Sequence, residues 1–470
     1  MSAGVARAPA APGAPFALLD ELACYHHSPA EPNNVHIEAL VAGHLDERAL
    51  RQAATEAIMA APRASGRMAA GGALRCQYRW EFPAVLDVDP MALATWPDED
   101  ELAAIRNRFL AQAPPLRTSP PVRLLLATGP RDSCVIMNAH HAALDGLSSL
   151  GLLRDIAARY QAITGSPGPA LPAPAPPASA GRPAQADQAP AGRGRRRWSL
   201  ARAVRRYPAA RIAPARPGQA RRDAHAVRLL RLPVPTPPPG ATVTDVLVAA
   251  LIATVAIWNA AHSRVPRTIA ISVPVSVRGP GLPEVAGNRT RTVTVTVSPR
   301  TAAAQPSALL AEVSRQLSAT RQARPQETSA GVLDAMPGWC PVVLKRLALR
   351  VAMRTVGPVV CDTTMLSNLG NVTGPLWPGP GGPARIAFSS PVHMPRGLAV
   401  SVVTADGQLQ AAFRYLYAVL DDAAAARLAE IFAAALEEFT DVEGEAHGLA
   451  GRPPGDPRLP SRQGRPAVPR

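Results

Sequence analysis

Residues 166–225 divide this chain in two. Prolines crowd in first ("GPALPAPAPPASAGRP"), then arginines ("RGRRRWSLARAVRRYPAARIAPARP"). So few apolar side chains do not offset the entropy of ordering a backbone, and the segment is expected to be a flexible linker. A chain of 470 residues cut there is expected to fold as two lobes, each with its own apolar supply. The expected boundaries are a disordered N-terminus over 1–15, a first lobe over 16–165, the linker over 166–225, a second lobe over 226–442 and a disordered basic tail over 443–470.

Charge follows the same division. Residues 181–222 hold twelve Arg against one acid, Asp187, and residues 451–470 hold five Arg against Asp456. These two segments account for the whole formal net charge of +15, so the lobes are close to neutral. Aromatics make up only 4% of the chain, and the linker carries no RNA- or DNA-reading motif, which argues against nucleic acid as a partner. Within it, "WSLARAVRRY" has the pattern of a short basic amphipathic helix. Peripheral membrane contact through the basic linker is therefore an expectation, beside the plainer reading of a solvated arm.

Five cysteines (Cys24, Cys76, Cys134, Cys340 and Cys361) are widely spaced and form no C-x-x-C pair. That pattern indicates neither a disulfide framework nor a metal site, and the cytoplasm is the default compartment. They read as core fillers. The N-terminus lacks the apolar stretch of a signal peptide. The longest apolar run, "VLVAALIATVAIW", has thirteen residues, too few to span a bilayer, and reads as a buried core helix.

Periodicity fills in both lobes. "VHIEALVAG" reads as a strand, and "DERALRQAATEAIMAAP" as a helix capped by Asp46. Leu102, Ile105 and Phe109 recur at helical spacing near 98–112. "VRLLLAT" and "SCVIMNA" flank the turn-rich "GPRD" and suggest a hairpin, followed by a helix over about 147–160. In the second lobe "TIAISVPVSVR" and "RTVTVTVSP" read as strands, Asp406-Gly407 as a hairpin turn, and 421–440 as a final helix.

At the end of "SCVIMNA" the chain reads "HHAALDG", with His140, His141, Asp145 and Gly146 at a strand-to-helix corner. Strand geometry would point the two imidazoles to opposite faces, so that one alone reaches a given substrate. Adjacent histidines are poor partners for one metal ion, and the sequence offers no convincing further ligand. A buried structural corner and a general base supported by a carboxylate both fit the residues. Gly146 would permit a tight turn that a Cβ hinders.

The string H-H-x-x-x-D-G resembles the signature of the acyltransferase superfamily that includes chloramphenicol acetyltransferase, condensation domains, polyketide-associated acyltransferases and wax ester synthase/diacylglycerol acyltransferases. "GHLDERALRQAATEAI" looks like the first helix of such proteins. "ATVTDVLVAAL" is similar to a helix start in the wax ester synthase branch, which usually has Asn-Asp where this chain has Thr244-Asp245. "VPVSVRGPGLPEVAGNRTR" and "LSNLGNVTGP" are similar to further segments of that branch.

The resemblance implies an α/β (α+β) fold of two similar chloramphenicol-acetyltransferase-like lobes with a tunnel between them. It implies a freestanding acyltransferase that moves an acyl group from acyl-CoA or acyl-carrier protein to a hydroxyl or amine, with no other cofactor. His141 would be the general base, Asp145 would pair with Arg278, and Ser367 and Asn368 would be candidate oxyanion donors, each with a plainer structural reading. The partners implied are a small-molecule acyl donor and acceptor, with an acyl or peptidyl carrier protein as a further one. A condensation-like protein served by a separate carrier, and a non-catalytic carrier-binding member of the fold, are the alternatives. His26 and His27 read as surface residues, His393 as structural, and Asp362 as a second-lobe polar contact.

Overall fold

The computed structural model describes residues 13–72, 74–165, 208–215, 225–278, 287–322, 338–372, 376–377 and 384–440. The expected basic tail, most of the linker and residues 1–12 lie outside the described residues.

The first sheet takes β1 (Asn34–Ala42), β4 (Met91–Thr95), β5 (Val122–Thr128) and β6 (Asp132–His140) from the first half. β2 (Arg67–Met68) and β3 (Trp80–Glu81) form a separate two-stranded ribbon. Helices α1 (Leu18–His26), α2 (Glu47–Ala60), the short α3 (Pro62–Ser65), α4 (Glu99–Leu110) and α5 (Gly146–Thr164) complete this part. Helix starts follow the acidic caps: Asp46 accepts from the Ala49 N–H at 2.7 Å and Asp98 from that of Glu101 at 2.8 Å.

The second sheet runs in the order β7-β13-β12-β10-β8-β9. Its strands are β7 (His225–Pro233), β8 (Ile269–Ser276), β9 (Thr290–Val297), β10 (Thr364–Val372), β12 (Leu398–Ala405) and β13 (Gln408–Leu416). Asp406 and Gly407 both adopt positive φ, 52° and 70°, in the tight turn between β12 and β13. Helix α6 (Val243–Ala261) holds the long apolar run, buried at the heart of this lobe with α11 (Asp422–Thr440) beside it. Short α7 (Pro299–Ala302), α8 (Pro306–Gln322), α9 (Val342–Thr355) and short α10 (Gly357–Val360) complete the set.

The result is a mixed α/β molecule built on two sheets, each with its own core. The halves are less separate than the sequence suggests. β11 (Arg385–Ser389) belongs by sequence to the second lobe, yet it pairs antiparallel with β1 and completes the first sheet. Phe388, Ile386, Trp377 and Val403 are likewise buried in the first core. Strand pairing between residues some 350 positions apart leaves no local trace in the sequence.

Two expected boundaries also move. Residues 208–215, assigned to the linker, lie against the second lobe, where Ala209, Ile212 and Ala213 are buried. Asn259 explains why: its Oδ1 accepts from the Ala213 N–H at 2.8 Å and its Nδ2 donates to the Arg211 carbonyl at 3.0 Å. Arg211, one of the twelve linker arginines, donates to the carbonyls of Cys361 and Asp362, both at 2.7 Å. Near the N-terminus, Pro15 bridges to Arg79, so 13–15 join the ribbon. Cys24 and Cys134 are buried, whereas Cys76, Cys340 and Cys361 are half-buried.

Candidate active site

β6 ends at His140, the backbone turns over 141–143, and α5 starts at Gly146 with Asp145 as its cap. His140 is buried: its ring Nδ1 accepts from the Ala142 N–H at 3.0 Å and its carbonyl from the Ala143 N–H at 2.8 Å. Both bonds hold the turn. Burial keeps its pKa well below the usual histidine value, reinforced by His27 and His141.

His141 is half-buried, and its N–H donates to the Asn33 carbonyl at 2.9 Å. Ring Nδ1 is buried without a formed hydrogen bond. Burial lowers its pKa, and the Asp145 carboxylate opposes that only in part. A neutral imidazole is a competent proton acceptor near pH 7.

Asp145 ties the corner to the second half. Oδ1 accepts from the Ser148 N–H at 2.9 Å and from Arg278 Nη2 at 2.7 Å. Oδ2 accepts from the Arg289 N–H at 3.0 Å. Arg278 Nη2 also donates to Ser148 Oγ at 2.7 Å and to the Gly287 carbonyl at 3.2 Å. Asn288 Nδ2 donates to the His141 carbonyl and to Asp20 Oδ1, each at 2.8 Å. Segment 287–289 thus clamps the motif loop from the other half of the chain. Gly287 takes φ +79°, and a Cβ there would meet the Arg63 side chain at 2.7 Å.

Gly146 differs from the expectation. Its φ is not positive; a Cβ would instead run into Leu369 Cδ2 and Phe388 Cε2, both at 2.8 Å. Close approach of β10 and β11, and not backbone conformation, demands glycine here. Leu369 follows the two candidate oxyanion donors. Asn368 has both ends of its amide occupied: Nδ2 donates to Thr244 Oγ1 at 3.0 Å and Oδ1 accepts from the Gly370 N–H at 2.8 Å. It holds β10 to the start of α6. Ser367 is buried, and no hydrogen bond among the described residues joins either side chain to the motif loop.

His26 and His27 are not surface residues. The end of α1 brings both close to the motif corner, where the His27 ring centroid is 5.2 Å from that of His140. The His26 ring is 5.7 Å from that of His393 on the second half. Burial, with His393 close by, pushes the His26 pKa down to about 3. Asn33 links this group: its N–H donates to His27 Nδ1 at 3.3 Å, its Oδ1 meets His393 Nε2 at 3.3 Å, and its carbonyl receives the His141 N–H. Among the described residues no three His, Cys, Asp or Glu side chains are grouped to hold a metal ion. Asp362 makes its contacts within the second lobe, with Ser272 and, at 3.4 Å, Thr294.

Sequence reasoning assigned no role to Asn33, Ser148, Asn288 or Arg289. The Gly-Asn pair after Arg278 was the one available signal.

No protein-family model matches the sequence. The uncharacterized protein Rv2305 of Mycobacterium tuberculosis is 28% identical over 421 residues, covering 81% of this chain and 89% of its own length. Among solved structures, the first condensation domain of the CDA synthetase matches with a TM-score of 0.60 at 15% identity, over 92% of this chain and 97% of that one. A variant of the starter condensation domain of rhizomide synthetase, in complex with C8-CoA and Leu-SNAC, matches with a TM-score of 0.60 at 14% identity, over 91% and 95%. The fold is that of a condensation domain. The epimerization domain from the third module of tyrocidine synthetase B shares it, with a TM-score of 0.53 at 13% identity, over 93% and 99%.

Proposed function

We propose that this protein is a condensation-like acyltransferase, moving an acyl group from acyl-CoA or an acyl-carrier protein to a hydroxyl or amine. The observation that carries this is His141: an imidazole kept neutral by burial, on a loop clamped by Arg278 and Asn288 from the opposite half. Nε2 takes the proton of the acceptor O–H or N–H as the acceptor attacks the thioester carbonyl. The C–S bond then breaks, and the departing thiolate takes the proton back from His141. No acyl-enzyme is needed, because both substrates meet in one step.

In this reading Asp145 and Arg278 hold the loop, His140 shapes the turn, and Gly146 lets β10 and β11 approach. Ser367 is the side chain left to support the developing oxyanion. The reaction as proposed uses no cofactor beyond the donor thioester, in the cytoplasm. A solved relative in fold holds a CoA thioester and an aminoacyl thioester analogue, which supports the carrier-served, amide-forming version alongside the ester-forming one.

The test is product formation from labelled acyl-CoA and, separately, labelled acyl-carrier protein, across hydroxyl and amine acceptors. His141→Ala is expected to lower the rate by about 10²–10⁴-fold. Turnover untouched by that substitution sinks the mechanism. Binding without turnover for any donor supports a non-catalytic carrier-binding role instead.

A further inference from the structure

One apolar face of the second half has nothing over it among the described residues. α9 lies on the first lobe, with Val342 and Leu349 buried and Met353 against the same core. Arg346 Nη2 donates to the His27 carbonyl at 3.3 Å. The helical repeat then turns Val343, Leu347 and Val351 outward in one row, with Leu344 beside them. All four are more than half exposed, and Trp339, just before the helix, is 76% exposed. Scattered apolar side chains on a surface are ordinary, but an aligned row beside an open tryptophan is a binding surface.

Its charge says what it binds. Residues 335–361 contain Lys345, Arg346, Arg350 and Arg354, and no Asp or Glu. Arg350 and Arg354 border the apolar row. A second copy would set these cations against themselves. Lys345 donates to the Cys76 carbonyl at 2.8 Å and Arg346 to that of His27, so the cations of this face are Arg350 and Arg354. A helix in the plane of a bilayer buries aliphatics and Trp at the acyl boundary and keeps its cations at the headgroups.

We propose that Trp339 and the outer face of α9 form a docking surface for anionic lipid membranes. This surface is distinct from the arginine-rich linker and does not depend on the activity proposed above. It lies one contact from the site: Arg346 reaches the His27 carbonyl, and the His27 ring neighbours that of His140.

Sedimentation of the full chain with vesicles of phosphatidylcholine alone, or mixed with phosphatidylglycerol, tests this. Binding is expected with the mixed vesicles and should weaken with salt. The Leu347→Gln/Val351→Gln variant should bind at least about ten-fold more weakly. Trp339→Ser should also weaken binding and serves as the independent variant, and unchanged melting temperatures show that both fold. The arginine-rich linker would hold vesicles by charge alone, so binding indifferent to both variants overturns the proposal. Failure to bind either vesicle does so as well and leaves the face to another occupant, such as residues 323–337 or an acidic protein. A dimer that dissociates on substitution assigns the face to a second copy and overturns it too.

Discussion

Asp145 shows how much one side chain carries here. It caps α5, accepts the Arg289 N–H and neutralises Arg278, while being almost wholly buried. Removing one partner of a buried ion pair strands the other charge, at about 3–5 kcal/mol. Asp145→Ala is expected to lower stability by that amount in denaturant melts. Asp145→Ala/Arg278→Leu should recover part of the loss; a double variant no better than the single one defeats the explanation. At Gly146 the expected cause is crowding. Gly146→Ala should cost about 1–3 kcal/mol, because Leu369 and Phe388 must both move. Gly146→Ala in a Phe388→Leu background, with the ring gone, should cost less, which thermal melts will read.

At the scale of elements, caps and periodicity located most helices and strands near their observed places. Asp46 caps its helix as expected, Asp98 and Asp145 prove to be caps as well, and "GPRD" and Asp406-Gly407 are both hairpin turns. Residues 208–215 were misread because their composition is that of the surrounding linker. What orders them is Asn259 on α6, together with Trp258 Nε1 donating to the Ala213 carbonyl at 2.9 Å. Asn259→Leu keeps the volume and removes two of these bonds, about 1–3 kcal/mol of local stability. Trypsin should then cut after Arg211 faster than in the unaltered protein, as followed by peptide mass. Equal protection of Arg211 in both proteins would refute that account.

For the whole molecule the buried histidines set the response to acid. His26 is lowered to about 3 and His225 to about 2, and His27, His36, His140 and His141 are lowered too, in every case chiefly by burial. Below the ordinary value of 6.5 the unfolded chain binds protons that the folded chain refuses. Stability is therefore complete above about pH 6.5 and falls as the pH drops. Glu38 acts in the same direction at lower pH: burial would raise it, but Arg106 and His36 together outweigh burial and hold it at about 2. Denaturant midpoints measured from about pH 7.5 down to about pH 5 should fall steeply. A flat profile would show that the histidine cluster opens to water.

By itself the sequence determined the strand "SCVIMNA", the corner with His140 and His141, and the helix that follows Asp145-Gly146. It also determined where the net charge resides. These features rest on hydrophobic repeats and on caps that act across three or four residues, so they are written locally. Only the tertiary structure decided that β11 completes the first sheet, that 287–289 grips the motif loop, and that His26, His27 and His393 gather close to the corner. Those contacts join residues more than a hundred positions apart, apart from the short return from α1. They form only because burying both cores brings the surfaces together, and no single segment carries that information.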